Sequence, residues 1–257
     1  MEERVLLDYK DRVAYITLNR PEKRNALNPE MVAGIMEALN RVRTENQAKV
    51  VVLQAAGAAF CAGADLEYLK SLQTNSYEEN LHDSQNLMTL FKTLIQFPLP
   101  LIAKVHGAAI AGGCGLASVC DFCFASEESM LGYSEVNIGF VPAIVMVFLS
   151  RKIGEGKARE LLLTGKIISA SEAVTYGLIN QSLPAEVLDA EVDKLAQNLC
   201  ARCAPDSMRL IKEMLFAMPS DYNEALNYAA QCNAIARSTE DCKKGIAAFL
   251  NKEKIRW

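Results

Sequence analysis

Two segments of the chain place small residues where a strand gives way to a helix: Cys61-Ala-Gly-Ala-Asp65 and Ala111-Gly-Gly-Cys-Gly115. The first N–H groups of a helix have no intrahelical partner, and the helix dipole favours negative charge there. Neither segment contains the G-x-G-x-x-G of a dinucleotide loop or the G-x-x-x-x-G-K-[ST] of a nucleotide-phosphate loop. An oxyanion hole needs two N–H donors from separate loops converging on one oxygen, and two such junctions supply them. The competing account is that the glycines serve only close packing. A third feature is Ser134-Glu-Val-Asn-Ile-Gly139, where Glu135 has Leu131, Tyr133, Val136 and Ile138 as sequence neighbours. Apolar surroundings raise a carboxyl pKa and let the group both take and return a proton. The plainer alternative is a surface carboxylate at a strand end. The only histidines are His82 and His106, so no Ser–His–Asp arrangement competes, and His106 on its apolar strand reads as a packed core residue.

The eight cysteines include two CxxC pairs, Cys120/Cys123 and Cys200/Cys203, a spacing found in zinc sites. The first pair falls in an apparent strand, where residues three apart face opposite sides and do not converge on one ion. The second closes a helical segment with no further ligand pair nearby. Reduced, buried thiols account better for both, and no metal is expected.

The elements that must position these groups follow from pattern. Residues 4–18 read as two strands around a Lys10-Asp-Arg12 turn. Asn28 caps a helix with Pro29 at its first position and Met31, Ile35, Leu39 and Val42 at helical spacing. Residues 49–53 and 101–105 are apolar runs suited to buried parallel strands. Helices are predicted over 65–72 and 77–97, with Leu87, Leu90, Leu94 and Ile95 on one face of the latter, and another opens in the second glycine segment. Strands follow at 121–125 and 130–133, after which strand signals largely cease. Ser169-Ala-Ser-Glu172 is a capping box, and 185–250 is almost all helical in pattern. Alternating strands and helices with a helical tail give an α/β core, residues 1–195, and a C-terminal helical subdomain, 196–257.

The chain has 257 residues, 51% of them hydrophobic and 23% charged, which fits a globular protein rather than a disordered one. A net charge of −4 argues against a bulk electrostatic grip on nucleic acid. The apolar run 136–150 is too short to span a membrane and contains Gly139 and Pro142. The start, Met1-Glu-Glu-Arg, has neither the order of a secretory signal nor the composition of a transit peptide, so the expected location is the cytoplasm.

In order along the chain, Leu18-Asn-Arg-Pro-Glu-Lys-Arg-Asn-Ala-Leu27, Phe60-Cys-Ala-Gly-Ala-Asp-Leu66, Val105-His-Gly-Ala-Ala-Ile-Ala-Gly-Gly-Cys-Gly115, Cys120-Asp121, Glu135 with Gly139, 165–173 and Gly177-Leu178 resemble the enoyl-CoA hydratase/isomerase (crotonase) superfamily. The resemblance implies a crotonase-like spiral of β-β-α units with a C-terminal helical trimerisation subdomain, and a homotrimer or homohexamer. It implies that the N–H groups of Ala64 and Gly112 hold an acyl-CoA thioester oxygen, while Glu135 handles the proton. It places the CoA moiety along Lys23, Arg24, Ala26, Ala62, Asp65 and Leu66, with Phe249 and Lys252 reaching a neighbouring subunit's CoA. No cofactor is implied beyond the coenzyme A carried by the substrate, and no nucleic-acid or membrane partner.

The chain departs from the best-known hydratases at two places. Gly115 stands where they carry a second glutamate, and Gly139-Phe-Val-Pro-Ala143 replaces their Gly-Gly-Thr-Gln run. Together with Ser134-Glu-Val136, that combination resembles the bacterial branch that hydrates methylglutaconyl-CoA and carboxygeranoyl-CoA. The implied activity is hydration of a branched enoyl-CoA, with Δ3-Δ2 isomerisation as the enzymatic alternative and a non-catalytic acyl-CoA- or RNA-binding relative as the other. The apolar residues Met208, Ile211, Met214, Leu215, Phe216 and Met218 lie on more than one helical face, as a subunit interface requires.

Overall fold

A computed structural model describes residues 3–257, the side chain of Tyr222 excepted. The Met1-Glu2 part of the N-terminal leader reading lies outside the described residues.

Strands β1 (Val5–Lys10) and β2 (Val13–Leu18) form an antiparallel hairpin whose turn residues Asp11 and Arg12 both have positive φ. Helix α1 (Pro29–Glu45) follows, capped by Asn28 accepting the Met31 N–H, and it buries Met31, Ile35, Leu39 and Val42. Then come β3 (Val50–Ala55), α2 (Leu66–Leu72), α3 (Tyr77–Ile95), β4 (Leu101–Val105), β5 (Ala108–Ile110), α4 (Gly112–Val119), β6 (Phe122–Ser126) and β7 (Met130–Gly132). The second half holds α5 (Ala143–Ile153), α6 (Glu155–Thr164), β8 (Ile167–Ser169), α7 (Ala170–Tyr176), β9 (Gln181–Leu183), α8 (Ala185–Arg202), α9 (Pro205–Ala217), α10 (Tyr222–Ser238) and α11 (Glu240–Leu250).

One sheet of six strands runs β1-β2-β3-β4-β6-β9, and a second of three runs β5-β7-β8. The successive pairs β4–β5 and β6–β7 each give their first strand to the large sheet and their second to the small one, followed by a helix. This is the expected β-β-α spiral. Side chains alternate across a strand, so the large sheet has two apolar faces. Ile16, Val51, Leu53, Leu101 and Ala103 pack toward α1, α3 and α4, whereas Val13, Val50, Val52, Ile102 and Phe124 pack under Leu188, Val192, Ala196 and Cys200 of α8.

Four sequence expectations need correction. Strands do not cease after 133: β8 and β9 are each three residues, too short to show alternation. The boundary at 195/196 falls inside α8, a single helix whose Leu188, Val192, Ala196 and Cys200 all pack on the large sheet. Cys120 ends α4 rather than lying in a strand, while Cys123 is on β6. His106 is not packed in the core; it is partly exposed, and its Nε2–H donates to the Gly57 carbonyl at 2.8 Å. Among the described residues no helix is long and apolar enough to cross a membrane, and no group of three or more His, Cys, Asp or Glu is placed to hold a metal ion.

Candidate active site

The first junction is an irregular strand laid beside β5. Cys61 N–H donates to Ala108 O at 3.0 Å and Cys61 O accepts from Ile110 N–H at 2.9 Å. Two residues on, the register passes to Leu27, which donates to Gly63 O at 2.7 Å and accepts from Asp65 N–H at 2.8 Å. In a parallel bridge the residue flanked by those two bonds directs its own N–H away from the partner. That residue is Ala64. Among the described residues its N–H has no backbone acceptor.

The second junction follows β5. Ala111 has φ 52° and ψ −124°, a left-handed conformation uncommon for any residue but glycine. Its N–H is held by Gly132 O at 2.7 Å, and the turn delivers Gly112 as the first residue of α4, where an N–H has no helical acceptor. The two junctions touch. A Cβ on Gly63 would lie 3.1 Å from the Ala111 Cβ, and one on Gly113 would lie 2.2 Å from Cys61 O, so only glycine fits at 113.

Glu135 enters from the neighbouring strand. β7 runs parallel to β5 with Ile110 opposite Gly132, so both chains leave the same end of the small sheet, one into Gly112 and the other into the 3-10 helix Glu135–Ile138. Glu135 is 9% exposed, and among the described residues its Oε2 has no hydrogen-bond partner. Burial pushes its carboxyl above the ordinary range, opposed by a hydrogen bond from its own backbone N–H. Beneath it Tyr133 is fully buried, its hydroxyl 2.9 Å from Ser118 Oγ. In the segment that follows, Ile138, Phe140, Val141 and Val147 are more than half exposed.

Gly115 does not face empty space. A Cβ there would meet Val145 Cγ2 at 2.9 Å and Phe91 Cζ at 3.0 Å. A longer side chain at 115 requires both to move.

Most of the residues matched to the CoA moiety are gathered around the first junction. Lys23 ends the 3-10 helix Pro21–Lys23, with Nζ 2.9 Å from Glu67 Oε1. Ala26 N–H donates to Lys23 O at 3.1 Å, and Arg24 O accepts from Ala62 N–H at 3.0 Å. Leu66, at the start of α2, is 81% exposed. Asp65 is buried, and its carboxylate accepts from Glu67 and Tyr68 N–H and from Arg20. Its N–H is given to Leu27 O and its carbonyl accepts from Leu69 N–H at 2.8 Å, so side chain and backbone alike are engaged within the junction. Phe249 and Lys252 stand apart, on α11 and just after it, and α11 packs on α9 and α10. Within one chain they are not part of this site.

The sequence profile described as enoyl-CoA hydratase/isomerase matches residues 8–257. The chain belongs to the enoyl-CoA hydratase/isomerase family. A Thermus thermophilus protein provisionally named an enoyl-CoA hydratase is 43% identical over 96% of this chain and 98% of its own. The crotonyl-CoA hydratase of Syntrophomonas wolfei is 31% identical over 99% and 98%. Among solved structures, an enoyl-CoA hydratase from Mycobacterium smegmatis superposes with a TM-score of 0.91 at 31% identity, covering 100% of this chain and 99% of that one. As a family member the chain is an enzyme with the crotonase fold. Sequence reasoning did not find the buried Arg20, the strained Ala111, or Phe91 and Val145 behind Gly115. Only the Asn-Arg-Pro match around Arg20 offered a signal.

Proposed function

We propose that the chain is a cytoplasmic hydro-lyase that adds water across the C2–C3 double bond of an enoyl-CoA. The carrying observation is a buried carboxylate with an unpartnered oxygen at the end of the small sheet from which the Gly112 N–H also emerges. The thioester oxygen accepts from the N–H groups of Ala64 and Gly112, which stabilise the enolate by roughly 3–4 kcal/mol per donor. Glu135 takes a proton from water as the oxygen attacks C3, then returns a proton to C2. Addition is redox-neutral, so this chemistry needs no cofactor beyond the CoA of the substrate. Because burial raises the Glu135 pKa, turnover is expected to fall as pH drops through that raised value, where the base is lost.

The preferred substrate in this reading is branched, of the methylglutaconyl-CoA type. The match over Gly139–Ala143 supports it, and the exposed apolar side chains of that segment are of a kind that would suit a branched carbon. Residues 136–150 contain no cation, so the group receiving a distal carboxylate lies outside that segment. A second reading, Δ3-Δ2 isomerisation by the same Glu135, draws support from the crowding at Gly115, which leaves one acid to move one proton. Assembly as a trimer or hexamer is part of the proposal, supported by exposed Ile211, Leu215, Leu226, Ile235 and Leu250 on the last three helices.

The deciding experiment offers 3-methylglutaconyl-CoA, crotonyl-CoA and a 3-enoyl-CoA to purified protein and follows the products by mass. Water addition to the first supports the full proposal, and addition to crotonyl-CoA alone removes its substrate arm. Double-bond migration with no mass gain anywhere makes the protein an isomerase. Binding without turnover makes it a non-catalytic relative. Glu135→Gln should lower turnover by about 10²–10⁴-fold while CoA-thioester binding persists.

A further inference from the structure

Asp65 follows the Ala64 N–H directly and is fixed from several sides. Its own N–H is bonded to Leu27 O, Oδ1 accepts from Glu67 N–H at 2.8 Å and Tyr68 N–H at 3.2 Å, and Oδ2 accepts from Arg20 Nη1 at 2.5 Å. Arg20 is 7% exposed and Asp65 4%. Arg20 is itself braced: its N–H donates to Asn25 Oδ1 at 2.7 Å, and Asn25 Nδ2 donates to the carbonyls of Ala56 and Ala59, each at 2.8 Å. Burial alone would raise the Asp65 carboxyl, but hydrogen bonds from Tyr68 N–H, Arg20 and Glu67 N–H outweigh it and hold the group below the carboxylate range.

A buried ion pair is a poor way to gain stability, since well-packed apolar residues of the same volume do as well or better. It is a good way to hold a backbone segment in one place. There is also an electrostatic reason for it here. An ionised carboxylate one residue from a developing oxyanion opposes that charge, and a buried guanidinium beside it cancels the opposition. We propose that Arg20 and Asp65 are positioning residues for the reaction: together they aim the Ala64 N–H at the thioester oxygen and neutralise the charge beside it. This rests on Ala64 being an oxyanion donor.

The test uses butyryl-CoA labelled with ¹³C at the thioester carbonyl, a saturated ligand that cannot be hydrated, and reads the carbonyl stretch by difference infrared spectroscopy. In the native enzyme the stretch should shift to lower frequency on binding. Asp65→Asn keeps an acceptor for the α2 cap but loses the charge. Loss of aim at the Ala64 N–H should outweigh the gain from leaving the Arg20 cation unopposed, giving back part of that shift and lowering kcat about ten-fold with KM changed less than about three-fold. Arg20→Lys keeps the cation without the planar fork and should show a smaller loss of both. A purely structural pair would lower the melting temperature and leave the carbonyl frequency of the bound thioester at the native value, and that result overturns the proposal. If Asp65→Asn does not fold, Arg20→Lys decides: native frequency and native kcat overturn it. Absence of any shift in the native enzyme instead removes the oxyanion reading, and this proposal with it.

Discussion

The Ala64 junction leads into α2, a helix with no buried residue, whereas the Gly112 junction opens α4, in which Gly113 through Ser118 are all buried. Each presents one N–H, and the means of holding it differ accordingly. At Ala64 the surroundings offer little packing, so polar bonds fix the backbone: the Leu27 bridge, the Asp65 cap and the Arg20 pair. At Gly112 packing is dense, and the constraint is steric, with Gly113 seated against Cys61 O and Ala111 held in a left-handed conformation. A backbone donor on an exposed helix is vulnerable to loss of charge; one on a buried helix is vulnerable to a change of volume.

Substitutions at the second junction test that contrast. The largest effect is expected from Gly112→Pro. Proline suits the first helical position and deletes the N–H, though the new ring must displace Leu27 Cδ1, which lies 3.0 Å from where a Cβ would sit. Turnover should fall about a hundred-fold or more, and a folded variant with near-native kcat would leave the second junction with no donor role. Gly113→Ala should act on stability instead. Its Cβ would sit 2.2 Å from Cys61 O, so the junctions must part, with a loss of about 3 kcal/mol in chemical denaturation. A loss under about 1 kcal/mol would show the contact to be soft. The smallest effect is expected from Ala111→Gly. Relief of the strained backbone offsets the added freedom of the unfolded chain, so stability should stay within about 1 kcal/mol of native. A larger drop in melting midpoint would mean Ala111 is not strained.

The same division governs what could be read from residues alone. α1 was legible because Met31, Ile35, Leu39 and Val42 recur at the helical period, and all four are buried. β8 and β9 were not, since three residues in a strand carry no period. α8 looked like the start of a separate subdomain because its amphipathic pattern does not say which sheet it covers. At the site, both junctions were legible through their small residues, and Glu135 through its apolar neighbours. The Arg20–Asp65 pair was not: arginine is ordinarily exposed, and 45 positions separate the partners. The strain at Ala111 left no trace either, because alanine is compatible with almost any local pattern.

Cys61 lies in one junction and Cys114 in the other, and both thiols are fully shielded, with burial pushing each up to about 12. At neutral pH such a thiol stays protonated, and the thiolate is the reactive form. Alkylating agents and peroxides therefore find little to attack there while the fold is intact. Sulfenylation or alkylation at these two positions is expected only where a reagent meets a chain that has opened, so such a mark would report unfolding as well as exposure to the reagent.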